Sequence, residues 1–342
     1  MRFNLELFKI NLNNISHHLA IIMIAYLLGL VSCQVLTQLH EEKSFLSWMR
    51  STNQFYTGDE YNLRFGVWLA NQRRVNEFNQ QGKTFKVSMN KFAAYTPAEY
   101  KVLLGKMVTR SERPKISSKK FVRPNSDSVD WRESGIVNPI KDQGQCGSCW
   151  AFSVIQAQES QWALVNKELL DLSEQNLVDC VTSCYGCSGG DEYVSYDYVI
   201  NQQKGLWNLQ KDYPYKAVDG SCKFDLQKGV AKVVSYYRPT TTDDEDALAA
   251  ACEKDGVVSI AIDASNWSFQ LYTSGIYDEP ACGPHNLDHA VGLVGFGAEN
   301  GTKYWIVRNS WGTSWGEKGY IRMVRGKNNQ CGVASDVIIP QV

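Results

Sequence analysis

The sequence predicts an α+β protein in which a helical half precedes a β-rich half. Residues 41–104 are polar, rich in aromatic side chains and mostly helical in pattern, and apolar residues recur at helical spacing from Ser148 to about Asn166. From Val257 onward the chain contains strand-like apolar runs, such as VVSIAI and KYWIVRNSW. With 342 residues, of which 44% are hydrophobic and 21% charged, the chain has room for two modest domains plus processing segments.

The N-terminal segment is typical of a secretory signal peptide. An apolar run of 13 residues, LAIIMIAYLLGLV, is too short to cross a bilayer comfortably, and basic Arg2 and Lys9 precede it. Small residues follow the run, which places cleavage near Cys33 and predicts a signal over residues 1–33. An uncleaved membrane anchor, a bacterial lipoprotein signal and a true start at Met23 are the alternatives. Secretion would place the cysteines in an oxidising compartment, where disulfides are the default.

Charge and composition divide the rest of the chain near residue 124. Residues 107–124 contain prolines, serines and basic residues without apolar periodicity, as expected of an exposed linker that proteases cut. Residues 1–124 carry 18 Lys and Arg against 8 Asp and Glu (net +10), whereas residues 125–342 carry 17 against 28 (net −11). The two parts should attract each other, unless the imbalance is only solvated surface charge. The basic residues are scattered, so we expect no nucleic-acid partner.

The stretch QGQCGSCWAF holds Cys146 and Cys149 three positions apart. Cys149 would lie in the first turn of the helix that Ser148 caps, where the helix dipole favours a thiolate. A thiolate needs a partner that carries protons. Of the five histidines, only His285 and His289 lie in the C-terminal part.

His289 and Asn309 flank a predicted β-hairpin. His289 opens the run HAVGLVGFG, Asn309 ends KYWIVRN, and the AENG between them is a hairpin-turn pattern. In a hairpin centred at residue 299 the two residues would lie almost opposite each other. The asparagine oxygen could then hold an imidazole N–H and orient the ring, which would complete a set of nucleophile, base and orienting group.

Five stretches, in this order, resemble the papain family of cysteine peptidases, most closely its cathepsin L-like members: SVDWR, QGQCGSCWAF, GCSGG, LDHAVGLVGFG and RNSWGTSWGEKGY. The resemblance covers about residues 41–342. It implies a papain-like two-domain fold, with a helical left domain and a β-barrel-like right domain, over residues 125–342. A helical inhibitory prodomain would occupy residues 34–124. The implied protein is an endopeptidase made as a zymogen, without a metal or an organic cofactor.

The resemblance implies a role for each residue of the site. Cys149 would be the nucleophile, His289 the general acid and base, and Asn309 its orienting group. Gln143 would be the side-chain donor of the oxyanion hole, beside the backbone N–H of Cys149. Thiolate attack on a peptide carbonyl would give a thioester that water hydrolyses. Trp311 would shield the hydrogen bond between His289 and Asn309 from water.

The resemblance also implies a specificity pocket for the second residue on the N-terminal side of the cut. An acidic group at the end of an apolar slot suits Arg or Lys, whose stem packs while the charged head pairs. If the acids turn to solvent instead, the pocket takes Leu or Phe. The pocket walls would be Asp191, Glu192, Ala261, Leu287 and Asp336, and Gly190, Asp288 and Trp311 complete the substrate-binding set.

The family pattern leaves Cys149 unpaired and gives Cys184 and Cys252 no partner. We expect these last two as free buried thiols, with a fourth bridge between them as the alternative. A competing interpretation combines the two CxxC pairs into a four-thiolate zinc site, but it explains neither the glutamine, the histidine nor the asparagine above. The disulfides implied by the resemblance are Cys146–Cys187, Cys180–Cys222 and Cys282–Cys331.

The predicted prodomain carries a stripe of six residues at helical spacing, which is either an ordinary amphipathic face or, by resemblance, the prodomain motif of cathepsin L-like zymogens. We expect this prodomain to inhibit the peptidase, with proteins and peptides as substrates. The protein would be a monomer without a stable membrane anchor, secreted or endo-lysosomal or vacuolar, with glycosylation sequons at Asn266 and Asn300. A non-catalytic binding protein of the same fold is the alternative from another functional class. The stripe comprises Glu60, Arg64, Trp68, Asn71, Val75 and Asn79.

Overall fold

The structure is a computed structural model that describes residues 19, 22–26, 39–107, 117–239 and 241–342. Most of the predicted signal, residues 1–33, therefore lies outside the described residues, as do residues 108–116 of the predicted linker. Within the part of the chain that is described, no helix combines the length and the apolar character needed to cross a membrane.

Helical residues open the described chain, the earliest of them at 19 and 22–26. Residues 39–51 form α1, and Gly58–Gln80 form α2, which contains all six residues of the predicted stripe. The aromatic residues of this first part pack on one another because their faces are apolar. The ring of Phe45 lies 5.6 Å from that of Trp48 and 5.4 Å from that of Trp68, and all three side chains are buried.

The remaining elements alternate between helices and a large sheet. The further helices are α3 (Pro97–Leu103), α4 (Cys149–Asn166), α5 (Glu174–Cys180), α6 (Glu192–Gln202), α7 (Glu245–Asp255) and α8 (Trp267–Gln270). Single 3₁₀ turns lie at Trp131–Glu133, Gly186–Ser188, Leu226–Lys228 and Gln330–Gly332. The strands are β1 (Phe85–Val87), β2 (Ser117–Lys119), β3 (Val129–Asp130), β4 (Ser235–Pro239), β5 (Val258–Ile262), β6 (Tyr272–Tyr277), β7 (His289–Glu299), β8 (Thr302–Arg308), β9 (Tyr320–Val324) and β10 (Asp336–Gln341).

The sheet connects the N-terminal part with the C-terminal part. Its strand order is β1-β6-β9-β8-β7-β5-β10-β4-β2, with β3 paired to β7. The predicted strand-rich half after Val257 is confirmed, since β5 to β10 all lie there. The strand β1, from the N-terminal part, is an edge strand of this sheet. Its Phe85 pairs with Gly275 of β6 in an antiparallel ladder.

The helix α4 is the centre of the helical half and has the predicted bounds. Its apolar side chains, Val154 and Ile155 among them, are fully buried in a core shared with α5, α6 and strand residues such as Ala290. Ser148 stands at the N-cap position, but its hydroxyl does not cap the helix. It hydrogen-bonds the hydroxyl of Tyr215 at 2.6 Å instead, so the capping prediction is wrong in its chemistry although right in its position.

The predicted hairpin forms with a different register. Its turn is the pair Asn300-Gly301, both with positive φ, which suits a two-residue turn between twisted strands. The turn centre therefore lies beyond residue 299, and a bulge between Leu293 and Gly295 adds a further shift. Asn309 follows the last residue of β8 rather than pairing with His289 across the ladder.

The structure contains the three disulfides that the resemblance implies, Cys146–Cys187, Cys180–Cys222 and Cys282–Cys331. Among the described residues Cys149, Cys184 and Cys252 are free and buried, so the alternative fourth bridge is not formed. The bridge between Cys146 and Cys187 takes up two of the four sulfurs that the zinc interpretation needs, which excludes that interpretation.

Candidate active site

Cys149, His289 and Asn309 come together where the N-terminus of α4 meets the start of β7 and the end of β8. The backbone N–H of Ala290 points at the sulfur of Cys149 at 3.5 Å, which holds the thiol beside the first residues of β7. His289 Nε2 and Asn309 Oδ1 are 2.8 Å apart. All three side chains are buried.

The hydrogen bonds fix which imidazole nitrogen carries the proton. The backbone N–H of Ser310 donates to the same side-chain atom of Asn309 at 2.8 Å, so that atom must be the oxygen. An amide oxygen only accepts, and His289 Nε2 is therefore the protonated nitrogen. In the neutral ring Nδ1 is then left as an acceptor, and it has no hydrogen-bond partner within the described residues. This is the nitrogen that can take a proton from a thiol.

Burial keeps both reactive groups uncharged in this state of the chain. Burial raises the pKa of the Cys149 thiol to about 12, although the N–H of Ala290 opposes the rise. Burial also lowers the pKa of His289 to about 4, although the hydrogen bond that the ring donates to Asn309 opposes this. A thiolate–imidazolium pair is consequently disfavoured while the site is covered.

The Gln143 amide lies between the site and a carbonyl of the N-terminal part. Its Nε2 donates to the carbonyl oxygens of Leu103 at 2.9 Å and Cys146 at 2.8 Å. Its Oε1 accepts from the hydroxyl of Ser310 at 2.7 Å and from the indole N–H of Trp311 at 3.2 Å. With the oxygen held on both sides, the amide N–H points into the cleft, where it binds a peptide carbonyl.

Residues 104–107 follow α3 and pass through the cleft. The carbonyl of Gly105 accepts from the N–H of Gly190 at 2.9 Å, and the N–H of Met107 donates to the carbonyl of Gly190 at 2.8 Å. The N–H of Lys106 donates to the carbonyl of Asp288 at 3.0 Å. Two predicted substrate-binding residues, Gly190 and Asp288, thus hold this segment through their backbones.

Gly105 passes so close to the peptidase backbone that no side chain fits there. A Cβ on Gly105 would lie 1.8 Å from the carbonyl oxygen of Gly147, well inside van der Waals contact. Gly147 is two residues before Cys149, and the nearby backbone of Gly105 acts to lower the pKa of that thiol. A glycine is therefore required where the segment crosses the reactive sulfur.

The side chain of Lys106 enters a pocket with three carboxylates. Its ammonium lies 3.2 Å from Asp191 and 3.3 Å from Asp336, and it forms a still shorter contact with Glu192. The Lys106 side chain is completely buried. Burial alone would lower its pKa, but the Glu192 carboxylate, followed by Asp336 and Asp191, raises it above the usual value, so the ammonium stays charged.

The structure brings most of the predicted pocket residues together. Ala261 lies directly opposite Asp336 on neighbouring strands β5 and β10. Asp191 also caps α6 by accepting from the N–H groups of Tyr193 and Val194, so it stabilises the helix N-terminus as well as contacting the ammonium.

The predicted Leu287 lies beside Gly332, where its side chain would meet an added Cβ at 2.5 Å. Of the two predicted sequons, Asn300 is exposed in the hairpin turn. Asn266 instead caps α8 by accepting from the N–H of Ser268 at 2.9 Å.

Sequence reasoning missed Lys106, the residue that fills this pocket. It lies in a stretch without periodicity, 85 residues from Asp191 and 86 from Glu192. The one signal was chemical, because three carboxylates lining one buried slot need a cation. The charge asymmetry indicated only that the basic N-terminal part and the acidic C-terminal part attract each other.

The comparison with known families agrees with this geometry. Residues 125–341 match the model of the papain family cysteine protease, and residues 45–100 match the cathepsin propeptide inhibitor domain. The chain belongs to the papain family of cysteine proteases. It is a papain-like cysteine endopeptidase with a propeptide, and hence a zymogen.

This papain-family zymogen is similar to curated cysteine proteinases and to a solved procathepsin structure. It is 41% identical over 297 residues to digestive cysteine proteinase 2 of Homarus americanus, which covers 84% of this chain and 91% of that protein. It is 36% identical over 336 residues to cathepsin L2 of Homo sapiens, covering 95% of this chain and 100% of that protein. The solved structure of digestive procathepsin L2 proteinase from Tenebrio molitor larval midgut matches with a TM-score of 0.82 at 34% identity, over 88% of this chain and all of that one.

Within this family assignment, the propeptide is the segment that covers the cleft. The rings of Phe92 and Tyr100 pack edge-on against Trp311 at 5.3 and 5.8 Å. The hydroxyl of Tyr100 donates to the carbonyl of Ala264 at 2.7 Å. The site is therefore assembled but closed, with its thiol and imidazole neutral.

Proposed function

We propose that this zymogen matures into an endopeptidase that attacks peptide bonds with Cys149 and prefers Arg or Lys as the second residue before the cut. His289 serves as general base and acid, Asn309 orients it, and the amide N–H of Gln143 stabilises the oxyanion together with the N–H of Cys149. The products are a thioester and an amine, and water then releases the acid.

The hydrogen bonds around His289 support these roles. The protonated Nε2 is held by Asn309 at 2.8 Å, which leaves Nδ1 free to accept the thiol proton. The amide of Gln143 already binds a carbonyl, that of Leu103, at 2.9 Å. Removing the propeptide would bring water to the site, so that the pKa of Cys149 falls and that of His289 rises. The ion pair needed for attack then becomes accessible.

The observation that carries the specificity proposal is the ammonium of Lys106 among Asp191, Glu192 and Asp336. A basic side chain fits this slot with its stem buried and its head paired, as an Arg or Lys of a substrate would. A charge-assisted hydrogen bond is worth about 1.5–3 kcal/mol, so the preference should be roughly ten- to a hundredfold in rate. The alternative, in which the acids turn to solvent, is not the arrangement of the closed zymogen, where Asp191, Glu192 and Asp336 are all buried around the ammonium.

Location, boundaries and assembly state belong to the same proposal. We infer a signal over residues 1–33, a prodomain over residues 34–124 and a mature peptidase over residues 125–342 that is secreted or endo-lysosomal or vacuolar and acts as a monomer. Three disulfides support an oxidising compartment. The name of the Homarus americanus relative, a digestive cysteine proteinase, supports secretion.

The decisive experiment compares two peptide substrates that differ only in Arg or Leu at the second position before the cut. We expect the activated wild type to favour Arg, and Glu192→Gln or Asp336→Asn to reduce the Arg/Leu ratio of kcat/KM by about tenfold while the Leu substrate changes little. Asp212→Asn is the matched control, because Asp212 pairs with the exposed Lys228 instead. A wild type that prefers Leu, or a ratio that neither variant moves, would contradict the proposal.

A further inference from the structure

The propeptide contacts the peptidase with two kinds of basic residue. Lys91 pairs with Asp142 across a partly exposed contact, with exposed side-chain fractions of 20% and 46%. Lys106 has no exposed side-chain surface, and its three carboxylate partners are exposed by at most 5%. Exposed pairs contribute little to binding, whereas a buried pair is strongly coupled to its partners. The two lysines therefore differ in what they do for the closed state.

Lys106 is fixed in register with the reactive sulfur. The carbonyl of Leu103 accepts from the amide of Gln143 at 2.9 Å, and the backbone of Gly105 packs against the carbonyl of Gly147, two residues before Cys149. The N–H of Lys106 then binds Asp288 at 3.0 Å, which directs its side chain into the acidic pocket. A glycine that admits no Cβ and a lysine that needs a counter-charge thus set the position of the segment together.

The pocket also needs the lysine. Asp191 and Glu192 begin α6, Asp336 begins β10, and these three carboxylates converge on one ammonium from different elements. Besides them, the free thiol of Cys184 lies next to Asp191, whose N–H points at its sulfur at 3.4 Å. Without a cation, three buried carboxylates would repel one another and would have no water to solvate them. The open state of the cleft, in which water reaches the carboxylates, would then be favoured.

We propose that Lys106 is the residue by which the propeptide recognises its own peptidase: it offers the acidic pocket the side-chain type that the mature enzyme selects in substrates. This inference rests on the proposed Arg or Lys preference. It follows that the propeptide discriminates among peptidases. A peptidase of the same fold with an apolar pocket would have to bury an unpaired ammonium, so the propeptide should inhibit only enzymes whose pocket is acidic.

The test uses the full-length zymogen and measures how fast iodoacetamide alkylates Cys149, with the modified peptide identified by mass spectrometry. The alkylation rate reports the population in which the cleft is open. Lys106→Met should raise the rate at least about 100-fold, because it leaves buried carboxylates without their cation. Lys106→Arg should stay within about threefold of wild type. Lys91→Met, the same substitution at the exposed pair, is the matched control and should also stay within about threefold.

Rescue separates recognition from a general loss of structure. Combining Lys106→Met with Glu192→Gln and Asp336→Asn removes two of the three uncompensated charges, keeps Asp191 because it also caps α6, and should return the rate to within about tenfold of wild type. If Lys106→Met is no faster than Lys91→Met, or if the triple variant stays as open as Lys106→Met, the inference is overturned. A Lys106→Met chain that does not fold, beside a triple variant that folds and closes, supports it through the same rescue.

The outcome is distinguishable from failure of the proposed function. The substrate preference is measured on the mature enzyme, where residue 106 has been removed. An Arg preference without an effect of Lys106→Met would overturn this inference alone. A Leu preference in the mature enzyme would contradict the proposed function, whatever the zymogen variants do. Lys106 would then stabilise the closed zymogen without mimicking a substrate side chain.

Discussion

The imidazole of His289 lies against the indole of Trp311, with ring centroids 4.7 Å apart and the planes inclined by 28°. The same indole donates its N–H to Gln143 Oε1 at 3.2 Å. One side chain therefore touches both the proposed base and the proposed oxyanion donor. Phe269 and Trp315 support it from the peptidase side, with centroids 5.7 and 5.1 Å away.

We expect Trp311→Phe to lower kcat by about tenfold and leave the zymogen folded. Phenylalanine keeps part of the stacking on His289 but loses the N–H that holds Gln143, so the oxyanion donor becomes less well oriented. Trp311→Ala should lower kcat further and also destabilise the protein by about 3–5 kcal/mol, because it leaves a cavity. Turnover and urea unfolding of both variants check this. Wild-type kcat in Trp311→Phe would show that the indole N–H does not orient Gln143.

The nucleophile, base and orienting group should differ in their effects on activity. Cys149→Ala should yield a folded zymogen that cannot hydrolyse peptides, since the covalent path is lost. Asn309→Ala should be milder than His289→Ala, because it loosens the base without removing it. Single-turnover kinetics of the three variants, with labelling by an electrophilic epoxide as a second readout, test the order. Near-normal turnover by Cys149→Ala would contradict the assignment of Cys149 as the nucleophile. A wild type that shows no turnover and that the epoxide does not label would favour a non-catalytic binding protein.

The charge state of His289 should depend on whether the propeptide covers the cleft. Burial lowers the pKa of His289 from 6.5 to about 4, so in the zymogen the ring is neutral at pH 5. Once the cleft opens, the ring can gain a proton nearer to pH 6.5. The open form therefore binds more protons between pH 6.5 and 4, and for this residue alone acidification favours opening.

Nuclear magnetic resonance on the inactive Cys149→Ala protein measures this directly. The His289 ring signals should titrate near pH 4 in the zymogen and at a higher pH after the propeptide is removed by an added protease. The His289→Ala zymogen identifies the signals. A midpoint at 6.5 in the intact zymogen would contradict the burial argument.

The sequence predicted the elements that local patterns determine, and it missed contacts between distant segments. The helix from Cys149 to Asn166 and the strands after Val257 follow from periodicity, which short-range geometry controls. The register of the β7–β8 hairpin was wrong, because the pair Asn300-Gly301 forms the turn and the bulge near Leu293 has no local signal.

Lys106 could not be found from the sequence for a different reason. Its partners are brought to it by the packing of α6 and β10, and nothing near residue 106 indicates a buried charge. The acidic side of the pocket was predictable from its residues, whereas the source of the cation depended on the path of the propeptide through the cleft.

The last prediction concerns the bond that the enzyme cuts when it processes itself. Two contacts define the available segment. Ser117–Lys119 pair with β4, while the Glu253 carboxylate accepts from the N–H groups of Asn125 and Ser126 at 2.7 and 2.8 Å. Residues 120–124 lie between these anchors without regular structure. Cleavage there would separate the propeptide from the mature chain, whose new N-terminal residues would stay hydrogen-bonded to Glu253.

The proposed pocket preference then selects the bonds within this segment. A basic residue in the second position before the cut places cleavage after Lys120, with Lys119 in the pocket, or after Phe121, with Lys120 in the pocket. Arg123 would select the bond after Pro124, but there the N–H of Asn125 is already held by Glu253. We expect N-terminal sequencing of the first processed form to give Phe121 or Val122, a start a few residues ahead of the inferred mature start at residue 125. Replacing Lys119 and Lys120 together by Leu should slow processing by roughly tenfold or more, since the charge-assisted contact in the pocket is lost. Arg110→Leu combined with Arg113→Leu is the matched control, which removes the same charge outside this segment. Equal processing rates in the two double variants would show that self-processing does not depend on a basic residue binding in the acidic pocket.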